Sequence, residues 1–264
     1  MNLTRELVVT EKKSNNHFSK IASNYKKLRT TDVDHIKYIK NHLDKKSKIT
    51  IADIGCGDGR YSLEILKSFK NCYLHCIDYN ENMIKYLKIY LAENKFRNFC
   101  ARSGDASKLP LENNSMDCIM TFNAIHHFNL EKFLSEVYGS LKDNGYLFIY
   151  TRLRNQNYRS IWGEYFPSFG DMENRLYELN ELEEYVKNAE MSIKSTRVFG
   201  HARTSTLNRL VHQAKNNHYS TFALYDEETF YESLDIFQKN IRKNFNDLEQ
   251  VTWHDENILL EIEK

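Results

Sequence analysis

Along the chain, apolar residues first recur at helical spacing and then gather into short runs. Phe18, Ile21, Ala22, Tyr25 and Leu28 form one helical stripe, and Ile36, Ile39 and Leu43 form another behind the capping candidates Thr31 and Asp32. Two helices are therefore predicted before the first strand. Five strand-like runs follow: KITIADIG, CYLHCID, FCARSGD, MDCIMTFN and GYLFIYTR. Amphipathic stretches separate them, predicting helices from about Tyr61 to Phe69, Glu81 to Glu93 and Leu130 to Leu141. Strands alternating with helices in this way predict βαβ units and a parallel sheet. Turn residues fall at the junctions, with Asp143-Asn144-Gly145 after a helix and Leu109-Pro110-Leu111 between the third and fourth runs.

Beyond Arg152 the pattern becomes polar, aromatic and irregular, with Pro167 and Gly170 allowing a short helix at most. Asn180 and Glu183 are spaced as a capping box for a helix ending near Glu190, and SIKSTRVFG reads as a sixth strand. Helices are predicted over Thr204 to Lys215 and Asp226 to Phe245, the latter with Phe230, Leu234, Phe237, Ile241 and Phe245 on one stripe, before NILLEIEK as a seventh strand. The expected fold is α/β: a doubly wound, mostly parallel seven-stranded sheet with N-terminal helices and a helical lid inserted between the last two strands. The domain plan is an entry segment over 1–46, a Rossmann-like core over 47–152, and a cap region with the last two strands over 153–264.

Charge excludes some partners. Lys and Arg total 37 against 36 Asp and Glu, a formal net charge of +1, so no global field draws the chain to nucleic acid or membrane. No run reaches the roughly 20 apolar residues that span a bilayer, and the first residues lack a signal-peptide core, which predicts a cytoplasmic protein. The five cysteines are an odd number and read as reduced, packed thiols. Cys72 and Cys76 do not suggest a metal, because residues four apart on a strand stand about 13 Å from each other. No metal site is expected.

In open α/β sheets ligands bind beyond the carboxyl ends of the strands. The predicted strand ends carry Asp53-Ile-Gly55-Cys-Gly57-Asp-Gly59, Asp78, Asp105 and Asn123. Glycines in the first turn let backbone N–H groups meet a ligand at the helix start, and a carboxylate at the second strand end can accept from both hydroxyls of a ribose. The glycines read G-x-G-x-G rather than the dinucleotide G-x-G-x-x-G, and Asp58 within them opposes a pyrophosphate. A nicotinamide dehydrogenase is disfavoured on this spacing.

The motifs IADIGCGDG, CIDYNENM, SGDASKLPLENNSMD and CIMTFNAIHHF, with FSKIASNYKKLR upstream, resemble the class I S-adenosylmethionine-dependent methyltransferases. Within them the likeness is to the small-molecule branch with a ubiquinone- or menaquinone-biosynthesis-type core (methyltransferase type 11), over about residues 17 to 152. The resemblance implies S-adenosylmethionine as cofactor and S-adenosylhomocysteine as product. It also implies that Gly55, Cys56 and Gly57 contact the methionyl and ribose parts, and that Asp78 takes the ribose hydroxyls beside Tyr79. Met83 would pack on the adenine, Asp105 and Ala106 would read its edge, Asp53 would approach the amino group, and Asn123 would close the site at the fourth strand end. Tyr25 is expected to line the pocket and Arg29, one turn on, to pair with the methionyl carboxylate, against an alternative as a plain surface arginine. An acid-lined pocket independently suits a sulfonium and an ammonium.

Methyl transfer is an in-line displacement, so positioning can supply much of the acceleration, and a base is needed only where the acceptor loses a proton. His126 and His127 are the candidates for that base, against an alternative in packing. Arg152, Arg154 and Arg159, beside Tyr158, Trp162, Tyr165, Phe166 and Phe169, suit a flat, anionic small molecule, against a solvated turn over an apolar lid. Methylation of tRNA or protein by the same fold, and a non-turning-over cofactor-binding subunit, stand as alternatives. A monomer and a homodimer fit equally well.

Overall fold

The computed structural model describes residues 30–43 and 48–264. The predicted first helix, with Tyr25 and Arg29, lies outside them. The described chain divides into two compact units: a first of residues 30–151, 179–199 and 258–264, and a second of residues 152–178 and 200–257.

The first unit is built on helix α1 (Asp34–Leu43), strand β1 (Ile49–Ile54), helix α2 (Arg60–Ser68), β2 (Cys72–Asp78), α3 (Glu81–Glu93), β3 (Phe99–Ser103), β4 (Met116–Phe122), α4 (Leu130–Ser140) and β5 (Leu141–Thr151). The sheet has seven strands in the order β3-β2-β1-β4-β5-β7-β6, where β6 is Ser192–Ser205 and β7 is Val251–Glu263. Pairs β1–β2, β1–β4, β2–β3 and β4–β5 are parallel, and β5–β7 is antiparallel. The doubly wound, mostly parallel seven-stranded sheet is therefore the one predicted.

The central strands bury both faces, as parallel strands between helix layers must. Every residue of β4 is buried, and so are Ile51, Ala52, Leu74, Cys76, Phe148 and Ile149. Helix α2 covers them with Tyr61, Leu63, Ile65 and Leu66, and α3 with Met83, Ile84, Leu87 and Leu91. Asn80 caps α3 by accepting from the N–H groups of Asn82 and Met83, and Asn129 caps α4 through the N–H of Lys132. Cys72 and Cys76 both lie buried on β2.

Several boundaries differ from the sequence pattern. Strand β5 begins at Leu141, and its register against β4 breaks between the Met116–Leu141 and Cys118–Tyr146 pairs, where Asn144 takes φ 57°. The Asp143-Asn144-Gly145 turn is thus an irregularity inside the strand. Strand β6 continues through His201 and Arg203 to Ser205, and β7 starts at Val251 instead of Asn257. Sheet pairing overrides the polar composition of both extensions.

The second unit holds three short helices where one at most was expected: α5 (Arg154–Tyr158), α6 (Ile161–Tyr165) and α7 (Phe169–Met172). It also holds α9 (Leu207–Lys215), capped by Thr206, and α10 (Glu227–Asn244), capped by Asp226, while α8 (Leu179–Asn188) belongs to the first unit. In chain order α9 and α10 fall between β6 and β7. The α10 stripe of Phe230, Leu234, Phe237 and Ile241 is buried as predicted. Trp162 stacks on Phe237 with centroids 4.9 Å apart, and Phe166, Phe169 and Phe222 complete an aromatic core. No helix among the described residues is long and apolar enough to cross a membrane.

Candidate functional site

The strand order places a topological switch between β1 and β4, whose following connections leave in opposite directions. The loop after β1 is held there by its glycines. Gly55 has φ 71°, and a Cβ on it would stand 2.6 Å from Ala124 Cβ and 3.0 Å from the Phe128 ring. Packing against the loop after β4 therefore demands glycine at 55. Gly57 has φ 54°, and among the described residues no atom stands within 4 Å of an added Cβ. Gly59, at φ 88°, leads into α2.

The Gly57 N–H donates to Asp78 Oδ2 at 2.8 Å, and the Asn80 N–H donates to Asp78 Oδ1 at 2.8 Å. These bonds fix the half-buried carboxylate at the tip of β2 while leaving each oxygen a further lone pair. Burial raises the Asp78 pKa, the two backbone donors pull it down, and the charge of Asp58 adds to the upward push; the net direction is up. Asp58 itself is buried, so its charge reaches the site through protein.

Asp53, at the end of β1, is 1% exposed. Ser62 Oγ donates to its Oδ2 at 2.6 Å, and Oδ1 has no hydrogen-bond partner among the described residues. Burial pushes its pKa up to about 7; the Ser62 bond and the Arg60 charge oppose this, and the Asp78 charge reinforces it. Cys56 is buried in the same loop, its thiol pushed up by burial and by Cys76.

Met83 is buried beneath the first turn of α3, whereas Tyr79 is 64% exposed. Asp105 Oδ1 accepts from the Ser107 N–H at 2.7 Å, shaping the turn that holds buried Ala106. Asn123 takes φ 54° at the end of β4 and donates its N–H to the Tyr150 carbonyl at 2.7 Å. His126 and His127 follow in a 3₁₀ turn, half-buried, with ring centroids 4.1 Å apart. Asp53, Gly55, Gly57, Asp78, Met83, Ala106, Asn123 and both histidines thus belong to one unit and one sheet edge.

The predicted acceptor residues are engaged differently, all within the second unit. Arg152 pairs with Asp255 at 2.9 Å, Arg154 Nε donates to the Leu176 carbonyl at 3.0 Å, and Arg159 pairs with Glu256 at 2.6 Å. Tyr158 is exposed and donates to Asp171 at 2.7 Å. Trp162 and Phe166 are each 2% exposed and pack in the aromatic core. Their rings are spent on other rings. Sequence reasoning missed Asn80 and Ser62. Asn80 precedes a helix in a legible capping position, but nothing in the sequence singles out Ser62.

Residues 51–145 match the family model described as a methyltransferase domain. A protein of Dictyostelium discoideum named as a methyltransferase is 29% identical over 62% of this chain and 62% of its own length. The matched stretches cover between 23% and 62% of the first curated relatives, so the chain spans less than two thirds of their lengths. Among solved structures, a protein of Anabaena variabilis described as a methyltransferase from an antibiotic biosynthesis pathway is 21% identical, with TM-score 0.64 over 88% of this chain and 98% of that one. The phosphoethanolamine N-methyltransferase 2 of Haemonchus contortus, solved with S-adenosylhomocysteine, is 17% identical, with TM-score 0.54 over 86% of this chain and 51% of that one.

Proposed function

Because residues 51–145 are a methyltransferase domain and the sheet has the class I S-adenosylmethionine-dependent methyltransferase fold, we propose that this chain transfers a methyl group from S-adenosylmethionine to a small-molecule acceptor. The observation that carries the reading is the pair of carboxylates at the switch point. Asp78 is fixed by two backbone donors with lone pairs to spare, and Asp53 holds a buried oxygen without a partner among the described residues. A buried orphan acceptor costs stability, which a ligand ammonium would recover. A phosphate in its place would meet like charge. These residues fit the cofactor.

When bound, the cofactor supplies an electrophilic methyl group on a sulfonium. Asp78 would accept from the ribose diol, Asp53 Oδ1 would accept from the ammonium, and Gly57 would let the cofactor approach the backbone. Met83, Ala106 and Asp105 would hold the adenine, beside the exposed Tyr79. His126 or His127 would take the proton where the acceptor must lose one, and alignment of acceptor and methyl group would supply the remaining acceleration. The assignment of a small acceptor is supported by the near-neutral chain and by the carboxylate pairing of Arg152 and Arg159, which leaves less cationic surface for a polyanion.

Incubation with methyl-tritiated S-adenosylmethionine and either a deproteinised metabolite extract or bulk tRNA tests this. Label in the low-mass fraction, with release of S-adenosylhomocysteine, is expected. Label in tRNA would replace the acceptor class, and cofactor binding without turnover in any fraction would reduce the chain to a binding subunit.

A further inference from the structure

We propose that Ser62 is a positioning residue for cofactor binding: its hydroxyl occupies one oxygen of Asp53, aims the other at the cofactor ammonium, and sets the pH range in which the site binds. The proposal rests on the methyltransferase reading above.

Ser62 lies in the first turn of α2, wholly buried, and Asp53 at the end of β1 is 1% exposed. A buried carboxylate ordinarily collects several donors. Here Oδ2 receives the Ser62 hydroxyl at 2.6 Å, and Oδ1 has no partner among the described residues. Among the described residues Oδ2 is engaged by one donor and Oδ1 by none, so Oδ1 is the oxygen left to accept from a ligand. Ser62 also prevents rotation of the carboxylate, since turning it would break the one hydrogen bond it holds. The neighbouring charged and titratable groups explain why a hydroxyl is used. Arg60 on α2 favours the ionised form, Asp78 on β2 opposes it, and the buried thiols of Cys56 and Cys76 provide no countercharge. A neutral donor stabilises the carboxylate without neutralising it, so its attraction for an ammonium survives.

The sign follows from linkage. Binding an ammonium through Asp53 requires its ionised form, so affinity falls as pH drops through the carboxyl's titration. Removing the Ser62 donor moves that titration to higher pH.

The test is calorimetric binding of S-adenosylhomocysteine between pH 6 and pH 8.5 to the wild-type chain, Ser62→Ala and Ser62→Thr. The ligand's own ammonium titrates identically in all three, so the difference isolates Asp53. Ser62→Ala is expected to bind about tenfold more weakly at pH 7, with the deficit narrowing toward pH 8.5, and Ser62→Thr is expected to restore the wild-type profile. In the ligand-free proteins, the Ser62→Ala melting curve should show its acid-side stabilisation beginning at higher pH. An unchanged profile, or a loss equal at every pH, would overturn the proposal. Failure of the wild-type chain to bind would instead overturn the methyltransferase reading.

Discussion

In the proposed function Asp53 and Asp78 hold different parts of the cofactor, and each carries a separate prediction. The folded pKa of Asp53 is about 7, above its ordinary 3.8. A carboxyl raised in this way costs stability increasingly as pH rises from about 3.8 to about 7, and the full cost applies above that. Asp53→Asn should therefore stabilise the ligand-free protein at pH 8, by up to about 4 kcal/mol, and lose that advantage at pH 4. Cofactor affinity should fall at least about tenfold in the same variant, a trade of stability for binding. Chemical denaturation at the two pH values, beside calorimetry, checks both halves. Asp78→Asn behaves differently. Both Asp78 oxygens accept from backbone N–H groups, so an amide must turn its NH₂ against one of them. We expect a loss of about 1–3 kcal/mol in stability and a 10- to 100-fold rise in cofactor Kd, measured by urea unfolding and calorimetry.

The element that organises the site is the loop from β1 to α2, and its glycines have different reasons to exist. Gly55→Ala meets Ala124 Cβ at 2.6 Å, whereas Gly57→Ala meets nothing within 4 Å among the described residues. Both carry the left-handed penalty of about 1–2 kcal/mol, but only the first adds a clash. Gly55→Ala should consequently depress the melting temperature well beyond Gly57→Ala, while Gly57→Ala should lose more affinity than stability. Melting and binding curves of the two variants, side by side, decide this. The loop was legible because its glycine spacing and the aspartates at successive strand ends are local in sequence. Helix α3 was legible for the same reason, its apolar residues Met83, Ile84, Leu87 and Leu91 forming one local stripe. The extensions of β6 and β7 were not, since SIKSTRVFG runs on into polar residues whose strand form depends on a partner distant in sequence. Ser62 escaped notice because its role depends on the approach of α2 to β1. Trp162 and Phe166 looked like a ligand wall because composition cannot separate an aromatic core from an aromatic pocket.

Across the whole molecule, the described cofactor candidates lie in the first unit, and the second has its own aromatic core and polar clasp. In that clasp Arg175 grips Glu173 through two hydrogen bonds of 2.7 and 2.6 Å, and Ser220 and Thr221 join them. Breaking a largely buried pair leaves a charge without its partner and costs about 3 kcal/mol. Arg175→Ala should lower the denaturation midpoint yet leave cofactor Kd within about twofold, as measured by urea unfolding and calorimetry. A large loss of affinity would mean that cofactor binding draws on the second unit as well. In the proposed function the carboxylates at the switch point recognise a cationic cofactor without phosphate. Calorimetric titration of the wild-type chain with S-adenosylmethionine, S-adenosylhomocysteine and NAD at pH 8 tests it most directly. Saturable binding of the first two, abolished or strongly weakened in Asp78→Asn, is expected, and none of NAD. Binding of NAD with no response to either methionyl nucleoside would contradict it.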